Sequence, residues 1–204
     1  LTTDNIKEPD AILRNSTNKH SYMNTISGYI LVNLLGWRIK GEFPDINKSV
    51  VIFAPHTSYW DGLYGKLYLM DLGINYKFLS KKEFFKFPLK YFFTIFGSIP
   101  VYKNKEYIDQ ITGLFKNSKE LHIVLLPEGQ LAKITRWKKG YYHMAEKANI
   151  PIVVGYLDYK KKEIGIKGVI YNSTNSRAVK KEVAKLYSDV TAKHPEKFSL
   201  EMIN

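Results

Sequence analysis

The chain has 204 residues and no cysteine. That excludes disulfides, thiolate metal sites and a cysteine nucleophile together, while the length is enough to bury one full core without staples. Thirty-one Lys and Arg against 19 Asp and Glu leave a net charge of +12, spread along the chain rather than gathered in a tail. Such a field favours anionic partners, whether nucleic acid, a phospholipid surface or a phosphorylated ligand. The 15 Tyr, 11 Phe and 3 Trp set among these lysines suit a wet, charged boundary, either a membrane interface or a groove for single-stranded nucleic acid.

Residues 1–20 are polar and lack the apolar stretch of a secretory signal. Residues 21–37 carry no formal charge but include Asn24, Asn33 and two glycines, which predicts an amphipathic, interfacial or docking helix, with an ordinary core helix as the alternative. WRIKGEF (37–43) alternates weakly, and VVIFAP (50–55) is a compact β-branched run that predicts a buried strand. Residues 60–72 show helical spacing with Gly73 as the stop, INYKFLS (74–80) returns as a strand, and short helical pieces follow around Pro88. SIPVY (98–102) reads as a strand, 106–118 as a helix, 121–129 as a strand running into a loop, and 138–149 as a helix. Residues 151–159 and 162–170 predict a hairpin across a lysine-rich turn. From Ser176 to His194, residues Val179, Val183, Leu186, Tyr187 and Val190 share one face, which predicts a C-terminal amphipathic helix. Strands alternating with helices indicate one α/β domain with a mixed, mostly parallel sheet, its catalytic core spanning 50–170.

Three loops carry the candidate chemistry. PHTSYWD (55–61) follows a buried strand and opens a helix, where reactive groups gather in α/β folds. Its His56 and Asp61 lie five residues apart, and a turn can fold the carboxylate back onto the imidazole, leaving the other ring nitrogen as a general base. The plainer alternative is an Asp that caps the helix beside a surface His. LLPEG (125–129) ends a strand in Glu128 and Gly129; the acid can bind a hydroxyl and the glycine can admit a close approach, or the segment is simply a turn. In GSIPVYK (97–103), Lys103 follows a strand and is placed to hold a phosphate, or is a solvated flank.

In order along the chain, these pieces resemble the blocks of the lysophospholipid acyltransferase superfamily, which includes 1-acylglycerol-3-phosphate and glycerol-3-phosphate acyltransferases. PHTSYWD is similar to its Asn-His-x-Ser-x-x-Asp block, with His56, Ser58 and Asp61 in register. LSKKEFFKFP resembles its Lys-Lys-Glu-Leu segment, with Lys81, Lys82 and Glu83. GSIPVYK resembles its Gly-x-Ile-x-x-x-Arg block, LPEGQ its Phe-Pro-Glu-Gly-Thr block, and NIPIVVGYLD (149–158) its final Val-Pro-Ile-Val-Pro block. Pro55 stands where Asn is usual, Lys103 where Arg is usual, and Gln130-Leu131 where Thr-Arg is usual. Lys keeps the charge of Arg but loses its planar fork, so the acceptor need not be glycerol phosphate. The stretch from Arg136 to Gly168 looks closest to a bacterial subgroup of unsettled substrate.

The resemblance implies a glycerol-3-phosphate acyltransferase-like α/β sandwich. It also implies acyl transfer from acyl-CoA or acyl carrier protein to a hydroxyl of a lysolipid acceptor. His56 and Asp61 would be the catalytic dyad; Ser58, Lys103, Glu128 and Gly129 would contact substrate; no metal and no resident cofactor would be required. A lipid product places the enzyme at an anionic membrane surface, peripherally on the cytoplasmic, inner face of a bacterial plasma membrane. Phe84, Phe85, Lys86, Lys90 and Tyr91 form the candidate contact, since rings enter the interface while lysines meet headgroups; core packing of the rings is the alternative. A thioesterase using the same dyad and a catalytically degenerate lipid-binding relative remain as rivals. No nucleic-acid partner is expected, because no recognised motif is present and the basic residues are dispersed.

Overall fold

A computed structural model of the chain describes residues 25–101, 107–171 and 175–203. Helix α1 (Ile26–Tyr29) passes into a π-helical turn (Ile30–Leu34), and then come β1 (Arg38–Lys40), β2 (Lys48–Ala54), α2 (Tyr59–Leu72) and β3 (Tyr76–Lys81). A 3-10 turn at Lys82–Phe85 leads to α3 (Leu89–Ile95), β4 (Ser98–Val101), α4 (Tyr107–Asn117), β5 (Leu121–Leu125) and α5 (Gly140–Ala148). The chain finishes with β6 (Ile152–Asp158), β7 (Glu163–Ile170), α6 (Ser176–Leu186) and two 3-10 turns, Pro195–Lys197 and Leu200–Ile203.

The seven strands form one sheet in the order β1-β7-β6-β2-β5-β3-β4. β6, β2, β5, β3 and β4 are parallel neighbours. β7 turns back antiparallel to β6 by a short hairpin, and β1 pairs with β7 in parallel. The sheet is therefore mixed and mostly parallel, as the alternation of elements predicts. β2 lies at its centre with β5 on one side and β6 on the other, so the chain leaves the sheet in diverging directions there. In α/β sheets it is at such a point, outside the carboxyl ends of the strands, that a ligand crevice is expected.

β2 shows why a strand buried on both faces reads as an unbroken apolar run. Val50, Ile52 and Ala54 enter a core built with Ile111 and Phe115 of α4, Tyr141 and Met144 of α5, and Val179 and Val183 of α6. Val51 and Phe53 enter the opposite core with Leu31 from the π-helical turn and Tyr68, Leu69 and Leu72 of α2. Helices thus cover both faces of β2, and a strand without a solvated face leaves only its ends for chemistry.

Two helices are shorter than their apolar patterns predict. The helix expected over 21–37 has an α-helical part only at Ile26–Tyr29, continues as the π turn to Leu34, and is closed by Gly36 in the left-handed region (φ 71°); residues 21–24 lie outside the described residues. Trp37 then turns into the core, 3% exposed, against Tyr64 and Tyr159. The helix expected over 176–194 ends at Leu186. Tyr187 and Val190 are buried as the pattern predicts, but Tyr187 is drawn out of helical geometry by donating its hydroxyl to the Gly155 carbonyl at 2.6 Å. Asp189 beyond it is held by Lys161 and Lys167 of the hairpin at 2.8 and 2.6 Å.

Candidate active site

The crevice beside β2 is shaped first by how α2 begins. Ser58 is its N-cap, and the Ser58 hydroxyl accepts the Trp60 N–H at 3.3 Å. Asp61, three residues on, completes a capping box: its Oδ2 accepts the Ser58 N–H at 2.8 Å and the Thr57 N–H at 2.7 Å. A carboxylate suits this place because it meets the unpaired amides and the positive end of the helix dipole. Reaching back over the loop brings it beside His56, with Nδ1 3.4 Å from Asp61 Oδ2. Capping and the His–Asp pairing are therefore one feature, since the turn that satisfies the helix end also delivers the charge.

The pairing is a close approach rather than a hydrogen bond in this conformation. His56 Nδ1 is buried without a hydrogen-bond partner among the described residues, while Oδ2 accepts two amides. The Asp61 side chain is 1% exposed and that of His56 is 14% exposed, so solvent reaches the ring only away from Nδ1. A charge pair at this range in a partly buried setting attracts by on the order of a few kcal/mol, enough to stabilise an imidazolium that forms during a reaction.

Two further groups come from the neighbouring strands. Glu128, just past β5, is 4% exposed, and its Oε1 accepts the His56 backbone N–H at 3.0 Å. Its Oε2 is buried with no partner among the described residues. Burial pushes this carboxyl up to about 7, against the opposing pull of the backbone hydrogen bonds and of His56. Tyr159, the first residue past β6, donates its hydroxyl to Asp61 Oδ1 in a short hydrogen bond. Burial first, then that bond, push the phenol well above its ordinary range.

The stretch after α6 closes the arrangement. The Thr191 carbonyl accepts the Tyr159 N–H at 2.9 Å, and Thr57 Oγ1 accepts the His194 N–H at 3.2 Å. Lys193 Nζ lies 5.3 Å from the Trp60 ring centre and 5.8 Å from that of Tyr159, within cation–π range. Neither Tyr159 nor this closing segment stands out from composition or motif spacing. The only sign of Tyr159 is its place at the end of a strand that neighbours β2.

Of the residues singled out from sequence, the structure gathers His56, Ser58, Asp61, Glu128 and Gly129 at the carboxyl ends of β2 and β5. Ser58 acts as a cap, 8% exposed. Gly129 has φ 65°, a left-handed conformation that L side chains rarely adopt. The space a Cβ would take there is filled by the Lys138 side chain. Lys103 lies outside the described residues. On the same edge of the sheet, past β3 and β4, Lys82, Glu83, Phe85, Lys86 and Pro100 line a groove of about 360 Å³. Lys86, Lys90 and Tyr91 of the candidate membrane contact are exposed, as is Phe87 at 78%. Phe85 is half-buried, its ring centre 5.9 Å from that of Phe93, and the Phe84 side chain is outside the described set.

A second histidine has a superficially catalytic setting. His122 Nδ1 is 2.8 Å from Ser49 Oγ, and its Nε2 is 3.9 Å from Glu120. Yet Ser49 is wholly buried and His122 is 1% exposed, at the amino ends of β2 and β5, away from the crevice. Burial pushes the imidazole down to about 4, so it is a neutral core histidine.

The mostly parallel sheet thus brings His56, Asp61 and Glu128 together at the carboxyl ends of β2 and β5. The chain belongs to the acyltransferase family: the family model described as Acyltransferase matches residues 36–156, which takes in β1 through most of β6 and both His56 and Glu128. Comparison with curated proteins and with solved structures returned no match. Acyl transfer is the general activity that this membership supports. Among the described residues, no helix is long and apolar enough to cross a membrane.

Proposed function

We propose that the protein is an O-acyltransferase that moves a fatty acyl group from a thioester, on coenzyme A or acyl carrier protein, to a hydroxyl of a lysophospholipid or related lipid. The observation that carries this reading is His56 itself: a partly exposed imidazole at the central switch point, backed by a buried carboxylate. The nearby Ser58 hydroxyl is spent on the helix cap, and the chain has no cysteine. The nucleophile is then the acceptor's own hydroxyl. His56 takes its proton as the oxygen attacks the thioester carbonyl, Asp61 stabilises the imidazolium, and the C–S bond breaks as the imidazolium returns its proton to the departing thiolate. Base catalysis of this kind contributes about 10²–10⁴-fold, with positioning supplying more.

Glu128, whose Oε2 has no partner among the described residues, suits contact with an acceptor hydroxyl, and contact at the Gly129 backbone would require the Lys138 side chain to move aside. Lys82 and Lys86 along the groove suit anionic parts of donor and acceptor, and Lys103, which lies outside the described residues, carries the charge for a phosphate. A lipid acceptor calls for an anionic membrane surface, on the inner face of a bacterial plasma membrane. Exposed Phe87 and Tyr91 beside Lys86 and Lys90 supply both apolar and cationic contacts for it.

The test is product formation from radiolabelled acyl-CoA with a panel of lysolipids. Acylated lipid that requires the acceptor is expected, with His56→Ala reducing it by at least about 10²-fold while leaving the melting temperature within a few degrees. Free fatty acid released at a rate indifferent to acceptor would instead identify a thioesterase, and binding without turnover a degenerate relative.

A further inference from the structure

The family match ends at residue 156, yet one of the three donors that hold Asp61 comes from beyond it. The carboxylate is held at both oxygens: Oδ2 accepts the Thr57 and Ser58 amides, and Oδ1 accepts the Tyr159 hydroxyl. Each donor draws negative charge away from the side that faces His56. The Tyr159 hydroxyl also fixes the rotation of the carboxylate, since a carboxylate held at both oxygens cannot swing an oxygen toward His56 Nδ1. The tyrosine is itself well anchored. Its amide is tied to Thr191, its ring packs against Trp37 at 5.2 Å and Tyr64 at 6.3 Å, and Lys193 lies over its face. The same C-terminal stretch grips the histidine loop through the His194 amide and Thr57.

We infer that Tyr159, held by the C-terminal segment, is a positioning residue: its hydrogen bond to Oδ1 fixes the rotation of the Asp61 carboxylate and keeps it out of direct hydrogen bonding with His56. The titratable and charged groups that face this pair are Glu128 from the loop after β5, Tyr64 from α2, and Lys193 and His194 from the C-terminal stretch. Among the described residues none of these four donates to the Asp61 carboxylate, whereas Tyr159 does. The consequence for rate rests on the acyl-transfer reading above; the consequence for the state of the imidazole does not.

Tyr159→Phe removes the hydroxyl and keeps the ring. With one donor gone, Asp61 presents more charge to His56 and is free to turn toward it, which favours the imidazolium. The acid limb of kcat/KM is expected to move to higher pH by about half a unit to one unit. kcat should fall about tenfold, with KM for either substrate changed less than about twofold. Histidine ring-nitrogen NMR at neutral pH should show a larger imidazolium fraction at His56. Tyr187→Phe, which deletes a buried hydroxyl outside the site, should lower the melting temperature and leave the limb and the ring signals in place. Unchanged ring signals and an unmoved limb in Tyr159→Phe would overturn the proposal, and so would a loss of melting temperature alone. If the unsubstituted protein transfers no acyl group to any acceptor while the ring signals still shift, the positioning role stands and the transferase reading fails.

Discussion

Replacing Glu128 by glutamine isolates the energetic cost of the site's buried carboxyl. Its ordinary value of 4.5 is pushed up to about 7 by burial, a difference of about 2.5 units. At 1.36 kcal/mol per unit this is about 3 kcal/mol of differential stability. The folded chain holds the proton more tightly than the unfolded chain, so stability is greatest below about pH 4.5 and is lost as pH rises through about 7. Glutamine keeps an oxygen for the His56 amide but cannot ionise. The difference in melting temperature between Glu128→Gln and the unsubstituted protein should therefore grow in favour of the variant from pH 4.5 to pH 8. At roughly 2–4 °C per kcal/mol for a chain of this size, the growth is on the order of 6–12 °C. Thermal unfolding followed by circular dichroism across that pH range measures it, and other titrating groups cancel in the difference. Two melting curves that stay parallel from acid to alkaline pH would refute the reasoning, because they would mean that Glu128 does not titrate on folding. A carboxyl retained at such a cost beside His56 fits a group kept for the reaction rather than for the fold.

Asp61→Asn leaves a single acceptor oxygen for three donors and removes the charge opposite His56. It should lower stability by about 1–3 kcal/mol in chemical denaturation and reduce kcat at least tenfold; full activity would remove Asp61 from the reaction. Phe87→Glu combined with Tyr91→Glu places charge where the exposed rings would enter lipid. Burying one such ring is worth about 1.5–3 kcal/mol, so binding to phosphatidylglycerol vesicles in a flotation assay should fall more than tenfold. Unchanged binding would move the membrane contact elsewhere on the surface.

What was legible in the sequence is what depends on neighbours along the chain. The apolar run at 50–55 marks β2 because a strand covered on both faces needs no polar alternation, and the hairpin of β6 and β7 is marked by two such runs about a short turn. The spacing of His56 and Asp61 is legible for the same reason. It contains an N-cap and its N3 partner, a motif written within four residues, so the capping Asp of the plainer alternative is observed, and the same carboxylate lies 3.4 Å from His56. Helix lengths were less legible. The stripe of Val179, Val183, Tyr187 and Val190 stays buried whether or not the last turn is helical, so the apolar pattern does not mark where the helix stops. Least legible was the far side of Asp61. Tyr159 is 98 residues away and arrives only because the sheet order sets the end of β6 beside the end of β2. The histidine loop is thus written locally, while the groups that hold and tune it are written in the strand order. The carboxylate's third donor therefore depends on the β6–β2 pairing, which no pattern within the histidine loop records.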